Sequence, residues 1–213
     1  MKKNLLTFIL VTISLILLIL AFIGPWYNLS MKYSFLGIQT NYNQNLYLDS
    51  IEIYGKIGGI DKTQTIFLSD MASQGISKSY IEFFQNTSYL VIIAIILCVL
   101  EFLIITTCLF YDDKARILKK FGVISGLFTL CLTIIAVIYF IVGWNNIINM
   151  FQGLVNYFFE NIGIQNPFNQ NLGFWYSSIK NGSSFSIGPG YAWYLMIIAG
   201  FFSFLSAITA NKN

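Results

Sequence analysis

The chain has 213 residues, of which 56% are hydrophobic, 17% aromatic and only 10% charged, whereas about a quarter of a soluble globular domain is charged. It contains no histidine, which removes the most common general base and metal ligand and makes the usual hydrolase triad impossible. The apolar composition predicts a membrane protein. The net charge of +3 is too small for a nucleic-acid-binding surface, so we expect no nucleic-acid partner.

Four apolar runs are each long enough to cross about 30 Å of hydrocarbon as a helix. They predict an all-α transmembrane four-helix bundle in a single integral membrane domain, 1–213, with helices at about 4–26, 87–111, 121–144 and 191–210. The first run could instead be a secretory signal. However, its length of about 19 residues exceeds that of a typical signal core, and no small-x-small cleavage site follows it. We therefore expect an uncleaved first helix.

The first outer loop, 27–86, has the composition of a small sheet. Apolar and polar residues alternate from Leu29 to Phe35, and this period of two predicts a strand. Asn41–Asn45 consists of turn-forming residues, and Leu46–Tyr54 is a second candidate strand. We expect short helical pieces from Thr65 to Gln85.

The second outer loop, 145–190, begins with apolar residues at helical spacing, which predicts that the third membrane helix continues past Trp144. Further along, Asn181-Gly182 lies between two strand-like runs and predicts a β-hairpin. Because isolated strands are marginally stable, we expect the strands of both outer loops to pool into one small mixed sheet. This sheet would form an extracellular β-containing cap on the bundle.

Positive charge predicts the orientation of the chain. Basic residues flank the membrane ends on one side, in short segments that include the hairpin 112–120; they are Lys2, Lys3, Lys114, Arg116, Lys119, Lys120 and Lys212. By the positive-inside rule, both termini and this hairpin lie in the cytoplasm. We expect a multi-pass protein of the plasma membrane.

Glu101 is the most informative single residue, because a charge at the centre of a bilayer costs about 2.5–3.5 kcal/mol on insertion scales. It shares a small and polar helix face with Ala94, Cys98 and Cys108, and we expect this face to point into the bundle. Hydroxyl groups at a similar depth are Ser14, Thr133 and Ser203. Glu101 could be neutral and bonded to one of them, could take part in proton or ion movement, or could contact a partner protein in the membrane.

The three cysteines, Cys98, Cys108 and Cys131, all lie in predicted membrane helices, so no extracellular disulfide framework is expected. A metal site formed by Cys98, Cys131 and Glu101 is conceivable. However, buried cysteine usually acts as a small apolar residue, and we expect neither a metal nor a cofactor.

Four aromatic residues stand at predicted helix ends, where Trp and Tyr form a belt at the headgroup level; they are Trp26, Tyr27, Trp144 and Trp193. Asn181, in Asn181-Gly182-Ser183, is the best placed acceptor for N-glycosylation. Gly122 and Gly126 form a small-xxx-small pair, which favours close packing within the bundle or self-association.

The layout resembles the claudin-like tetraspan superfamily. The resemblance rests on four helices, a long first outer loop with strands and a shorter second one. It also rests on Trp26 in Gly24-Pro25-Trp26-Tyr27, which aligns with the first-loop tryptophan of that family. The paired first-loop cysteines of claudins have no counterpart here. The chain is similarly close to four-helix membrane proteins of microbes and archaea with a Pro-Trp-Tyr step after helix one.

From these observations we expect a non-enzymatic structural or accessory protein that acts through its outer loops and a face of its bundle. Its partners would be the lipid bilayer and either like copies or another membrane protein. The alternative is a small transporter, or a proton-linked subunit of a membrane oxidoreductase complex, in which Glu101 titrates. A membrane enzyme acting on lipid or quinone is a third class.

Overall fold

The computed structural model describes residues 2–35, 38–57, 60–71, 78–110, 115–161, 176–180 and 183–211. The helices in these ranges are α1 Lys2–Ile23, α2 Leu68–Met71, α3 Lys78–Phe110, α4 Ala115–Asn161 and α5 Tyr191–Asn211. The strands are β1 Tyr27–Phe35, β2 Ile38–Leu46, β3 Ser50–Ile57, β4 Ile60–Phe67, β5 Tyr176–Lys180 and β6 Ser183–Pro189.

Four of the described helices contain segments that are long and apolar enough to cross a membrane: Leu5–Ile23, Lys78–Phe110, Ile117–Trp144 and Tyr191–Ala210. They fit a tetraspan layout and indicate a multi-pass membrane protein. The helix α3 begins at Lys78, well before the apolar run itself. The helix α4 continues unbroken to Asn161, so the helical spacing beyond Trp144 does belong to one continuous helix.

The chain forms two compact units. The helical unit consists of Met1–Gly24, Asn86–Ile138 and Ala192–Asn213, and the sheet unit consists of Pro25–Gln85 and Tyr139–Tyr191. The helices α3 and α4 therefore each contribute residues to both units.

The helical unit has small side chains inside and large ones outside. Its buried small residues include Ala21, Ala94, Ala136, Ala199 and Ala207. Its exposed large residues include Ile9, Ile16, Ile93, Leu103, Ile124, Phe128, Ile135 and Phe201. Small residues let helix backbones approach closely, and large apolar residues suit contact with lipid. This distribution is typical of a bundle whose surroundings are hydrocarbon.

The sheet unit contains one six-stranded sheet in the order β4-β3-β2-β1-β6-β5. The first loop contributes β1–β4 and the second contributes β5 and β6, so strands of both loops do combine in one sheet. The central strand β1 pairs with both loops, because Leu29 lies opposite Gln44 on one side and opposite Ile187 on the other. Every pairing is antiparallel, so the sheet is not mixed.

A local prediction for the first loop is wrong. Asn41–Asn45 is not a turn but part of β2, where Asn43 pairs with Ser30 on one side and with Tyr54 on the other. There, cross-strand pairing on a shared sheet outweighs the local preference of the residues. The short helical pieces expected from Thr65 to Gln85 are present as α2 and the start of α3, although β4 continues to Phe67 before α2 begins. The strand alternation of β1 and the hairpin between β5 and β6 are confirmed.

One face of the sheet is apolar and buried, and its residues include Tyr27, Leu29, Met31, Leu46, Ile51, Phe185 and Ile187. An aromatic cluster in the same unit contains Trp26, Tyr27, Phe83, Phe140 and Trp144. The ring centroids of Tyr27 and Trp144 are 3.9 Å apart, and those of Trp26 and Phe140 are 5.1 Å apart. Aromatic pairs at such distances add to the free energy of burial, so this cluster is a principal part of the core of the sheet unit.

Gly190 follows the last residue of β6 and is hydrogen-bonded to the residue just before β1. Its amide donates a hydrogen bond of 2.8 Å to the carbonyl oxygen of Trp26. A Cβ atom at position 190 would collide with the carbonyl oxygen of Pro25. The position therefore requires glycine, since any side chain would push the two segments apart.

We predict that Gly143→Ala destabilises the sheet unit by about 1–3 kcal/mol. The ring of Phe83 occupies the space where a Cβ atom of residue 143 would lie, so the added methyl group overpacks the aromatic cluster. The matched control is Gly55→Ala, because a Cβ atom at position 55 meets nothing within 4 Å. Thermal unfolding in detergent should show a lower midpoint for Gly143→Ala and an unchanged one for Gly55→Ala.

Candidate functional site

The side chain of Glu101 is fully buried, with 0% of its surface exposed, in the interior of the helical unit. The Ser203 hydroxyl on α5 lies 2.7 Å from Glu101 Oε2 and 3.3 Å from the carbonyl oxygen of Gly126 on α4. One carboxyl and one hydroxyl group thus join three of the four membrane helices. Of the three hydroxyl groups predicted at this depth, Ser203 is the one that bonds Glu101.

The number of hydrogen atoms available at the Ser203 hydroxyl favours a neutral Glu101 carboxyl group. The Ser203 hydroxyl has a single hydrogen, yet two acceptor oxygens lie within reach. If Glu101 is protonated, it donates to Ser203, and Ser203 donates to the carbonyl oxygen of Gly126. If Glu101 is ionised, Ser203 must turn its hydrogen to the carboxylate, and a negative charge stays buried with few donors.

Gly126 shapes the pocket around the carboxyl group. A Cβ atom at this position would lie 2.9 Å from Glu101 Oε1 and 2.9 Å from Ala207 Cβ. Oε1 itself has no hydrogen-bond partner among the described residues. Gly122, one turn away, would place a Cβ atom 3.3 Å from Ile104 Cγ2. The glycine pair therefore serves packing inside the chain, one of the two roles that the sequence left open.

The other two predicted hydroxyl groups also contact α5, although neither is bonded to Glu101. Ser14 on α1 donates a hydrogen bond of 2.8 Å to the carbonyl oxygen of Ala199. The Thr133 hydroxyl bonds the carbonyl oxygen of Leu130 on its own helix at 2.7 Å and occupies the space beside Gly200 where a Cβ atom would lie. Small residues of α5 thus accept the polar groups of two neighbouring helices.

Two hydroxyl-bearing residues that the sequence pattern did not single out, Ser206 and Thr7, extend the polar interior. The Ser206 hydroxyl lies 3.5 Å from the carbonyl oxygen of Thr7. The Thr7 hydroxyl donates a hydrogen bond of 3.1 Å to that of Thr209. The spacing of Ser203 and Ser206, three residues apart on a helix, was the signal that could have found this second hydroxyl.

The cysteines do not assemble around the carboxyl group. Cys98 and Cys108 are buried, as is Glu101, whereas Cys131 is exposed. Cys98 Sγ lies 3.6 Å from the Ser14 hydroxyl oxygen, a weak hydrogen bond. In the part of the chain that the structure describes, no group of three Cys, Asp or Glu residues is placed to hold a metal ion.

The four predicted belt residues, Trp26, Tyr27, Trp144 and Trp193, are all buried in the protein. Trp26, Tyr27 and Trp144 belong to the aromatic cluster of the sheet unit. Trp193 belongs to the helical unit, where its ring centroid lies 5.1 Å from that of Tyr194. Their burial shows that they pack against protein; their place at the headgroup level stays a prediction. The glycosylation candidate Asn181 lies outside the described residues.

The solvent face of the sheet carries a small charged group on β3 and β4. Asp61 accepts a hydrogen bond of 3.0 Å from the Tyr54 hydroxyl and lies 3.5 Å from the Lys56 ammonium. This hydrogen bond is the largest of the effects that raise the pKa of Tyr54 above its ordinary value. The charge of Asp61 is therefore balanced within the sheet.

Comparison with known proteins provides no family for the chain: no family model matches it, and no curated protein matches it.

We predict that Ser203→Ala lowers the stability of the helical unit by about 1–3 kcal/mol, because it leaves a buried carboxyl oxygen without its partner. Glu101→Gln should stay within about 1 kcal/mol of the wild type, since a neutral amide can still donate to Ser203. Thermal unfolding in detergent measures both. A control is Thr107→Val, which removes an exposed hydroxyl that bonds only the carbonyl oxygen of Leu103. If Glu101→Gln proves as harmful as Ser203→Ala, the neutral carboxyl is excluded.

Proposed function

We propose that this protein is a non-enzymatic accessory protein of the plasma membrane that acts by binding a second copy of itself through its sheet. The observation that carries the proposal is the strand β4, which stands at the end of the sheet order and is exposed along its length. An open edge of this kind presents unpaired N–H and C=O groups that can pair with another strand.

Two apolar side chains of β4 are unusually exposed. Ile60 is 68% exposed and Phe67 is 54% exposed, and the polar residues between them are also exposed. The other edge strand, β5, is shorter, with five residues against eight, and it offers less backbone for pairing. We therefore assign the contact to β4.

The sequence of β4 complements itself in an antiparallel pair. A two-fold axis at Thr63 sets Ile60 opposite Ile66, so that apolar residues meet on the face that continues the buried face of the sheet. In the same register, Asp61 lies opposite Thr65 and Lys62 opposite Gln64. No like charges face each other, and like charges directly opposite would be destabilising.

Charged residues on β4 do not prevent this pairing. Lysine on an edge strand often protects it from association, but Lys62 would face the neutral amide of Gln64. Asp61 is already balanced by Lys56 at 3.5 Å. The contact that we propose is isologous, because the same surface is used by both copies, and it therefore closes into a dimer.

Two further parts of the proposal concern the orientation of the chain in the membrane and its claudin-like layout. The basic residues near the hairpin between α3 and α4 support cytoplasmic termini and outward-facing loops. The pairing of β1, from the first loop, with β6, from the second, supports the claudin-like layout that the sequence resembles.

We predict that Thr63→Cys forms a disulfide-linked dimer on mild oxidation, in a Cys131→Ser background that removes the exposed native thiol. Residues opposite each other in an antiparallel pair have Cα atoms about 4.5–5.5 Å apart, which is within the range for a disulfide. Non-reducing gel electrophoresis of membranes measures the dimer.

The matched control is Thr65→Cys in the same background. In the proposed register, Thr65 of one copy lies about 13 Å from Thr65 of the other, at about 3.3 Å per residue, so it should not cross-link. If Thr63→Cys in one copy links only to Ser177→Cys on β5 of another copy, the contact is a head-to-tail pair of β4 with β5 and not a two-fold pair of β4 with β4. Equal linkage at positions 63 and 65 would indicate random collision and reject the register.

We also predict that Thr63→Lys abolishes the dimer in mild detergent, because it sets two ammonium groups opposite each other on the axis. Ser177→Lys adds the same charge to the exposed edge strand β5 and should leave the dimer intact. The mass measured by light scattering distinguishes the two states. A wild-type protein that is monomeric at all concentrations would refute the proposal directly.

For the topology, we predict that tags placed at the two ends of the chain are both protected from protease added outside sealed cells. An accessible cysteine placed at position 63 should react with a membrane-impermeant maleimide from outside. Digestion of one tag alone would contradict an even number of membrane crossings, and digestion of both would reverse the orientation.

A further inference from the structure

A small, partly open cavity lies at one end of the helical unit. We define the hairpin end of this unit as the end where α3 finishes at Phe110 and α4 begins at Ala115. All four membrane helices contribute to the lining of the cavity: Thr7 of α1, Cys108 of α3, Lys119 of α4 and Ala210 of α5. Each of these residues lies within about one turn of the hairpin end of its apolar span. The cavity therefore belongs to the level where hydrocarbon meets the lipid headgroups.

The cavity combines apolar walls with one basic side chain. Its lining is mainly apolar and includes Ile104 and Ile105. Lys119 also lines it and is half-buried. The carbon stem of a lysine packs along apolar surface while its ammonium group stays in the polar layer. The cavity thus places a positive charge next to a hydrocarbon surface.

An apolar strip leads away from the cavity along α3. Ile104 is half-buried, and Leu100 and Ile96, at successive steps of four residues away from the hairpin end, are 47% and 53% exposed. Residues four apart lie on the same face of a helix, so these three side chains form one continuous strip. The strip runs from the headgroup level towards the middle of the bilayer, which is the direction of a lipid acyl chain.

The hairpin end is rich in positive charge. The segments 1–4, 111–120 and 211–213 hold two acidic residues, Asp112 and Asp113. Their basic residues are more numerous: Lys2, Lys3, Lys114, Arg116, Lys119, Lys120 and Lys212. Clusters of this kind next to membrane helices attract anionic lipids, and basic pockets between membrane helices bind anionic headgroups.

We propose that the cavity at the hairpin end binds one anionic phospholipid. Its phosphate group lies against the ammonium group of Lys119, and the first carbons of one acyl chain enter the cavity beside Ile104. The rest of that chain follows the strip past Leu100 and Ile96. The chains would fit any phospholipid, so the charge at Lys119 is what selects an anionic one. Lipid binding at this cavity does not depend on pairing through β4.

Gly122 keeps the cavity open on the side of α4. It is part of the lining, and a Cβ atom at this position would lie 3.3 Å from Ile104 Cγ2. A side chain at position 122 would therefore narrow the space between α3 and α4 where the acyl chain enters.

The selectivity is tested by native mass spectrometry of the full chain in mild detergent. Phosphatidylglycerol and phosphatidylcholine with identical acyl chains are added at equal concentration. The wild type should retain one phosphatidylglycerol per chain in preference to phosphatidylcholine by about fivefold, the effect of one basic residue near an anionic lipid. Lys119→Gln should remove this preference, and Lys119→Arg, which keeps the charge, should preserve it. Equal retention of the two lipids by the wild type would overturn the proposal.

The matched control is Lys120→Gln. Lys120 is adjacent to Lys119 and exposed, but it does not line the cavity, so this variant removes the same charge from the same end of the bundle. It should keep the wild-type preference. Equal losses in Lys119→Gln and Lys120→Gln would indicate a general attraction to the basic end and reject the site. An unchanged preference in Lys119→Gln protein with a wild-type thermal midpoint would also reject it.

A competition experiment separates a lipid from a free anion. Glycerol phosphate carries the anionic group without acyl chains, and because the apolar strip contributes to binding, an excess of it should leave the bound phosphatidylglycerol in place. Displacement by glycerol phosphate would show a site for a free phosphate group and overturn the assignment to a lipid.

The position of the acyl chain is tested in liposomes with a phosphatidylglycerol that carries a photoreactive diazirine in one chain. It should label α3 between Ile96 and Ile104, and Lys119→Gln should lower this labelling by about fivefold. Labelling of Ile135 and Ile138, which are exposed on α4, reports ordinary contact with the bilayer and should stay unchanged. An equal response of both surfaces to Lys119→Gln, or of neither, would contradict the proposed path.

Discussion

Hydrocarbon provides no hydrogen bonds, so each polar group within the helical unit has to find its partner in the chain itself. This constraint explains why the interior consists of small and hydroxyl-bearing residues while the surface is large and apolar. Hydroxyl groups of Ser14 and Ser203 bond across helices. They can do so because Gly126 and Ala199 keep the backbones close. Glu101 fits the interior only because it meets this network, and the network depends on positions where no larger side chain fits.

The sheet unit follows the opposite rule, because its polar face does not need partners from the chain. Its buried face and the aromatic cluster around Phe140 supply the apolar surface that stabilises it. Its other face carries many Asn and Ser residues, such as Asn43 and Ser30, which water can satisfy. Among the described strands, β4 and β5 form the two edges of the sheet, and at such edges the backbone itself can offer hydrogen bonds. The two units thus present different kinds of unsatisfied group, a carboxyl oxygen inside one and a strand edge on the other.

Much of the fold could be predicted because it follows from local pattern. Uninterrupted apolar runs reveal membrane helices, alternation reveals β1, and Asn181-Gly182 predicts the hairpin between β5 and β6. The strand β2 could not be recognised, because its run of Asn and Gln residues has turn-forming composition and becomes a strand only between two partners. The sequence predicts short helical pieces before the second membrane helix, but not that α3 runs unbroken from Lys78, because its first turns are amphipathic and polar, unlike the apolar run that follows.

The candidate site was only partly predictable. Periodicity placed Glu101 on an inward face, but three hydroxyl groups at a similar depth were indistinguishable, since the choice depends on helix rotation and on how closely backbones approach. The role of Gly126 beside the carboxyl group likewise depends on three helices meeting at one point. The spacing of residues within any single helix does not reveal where three helices meet.

The pairing of β1 with β6 constrains the order in which the sheet unit can be built. A ribosome releases β1–β4 early, and these strands can form a meander from neighbouring segments of the nascent chain. The remaining edge of β1 has to wait until α3, α4 and then β6 have been synthesised, because Leu29 pairs with Ile187. During this interval β1 has one uncovered side, which is a hazard for association with other nascent chains. Completion of the sheet therefore coincides with delivery of the last membrane helix, α5, which follows β6 directly.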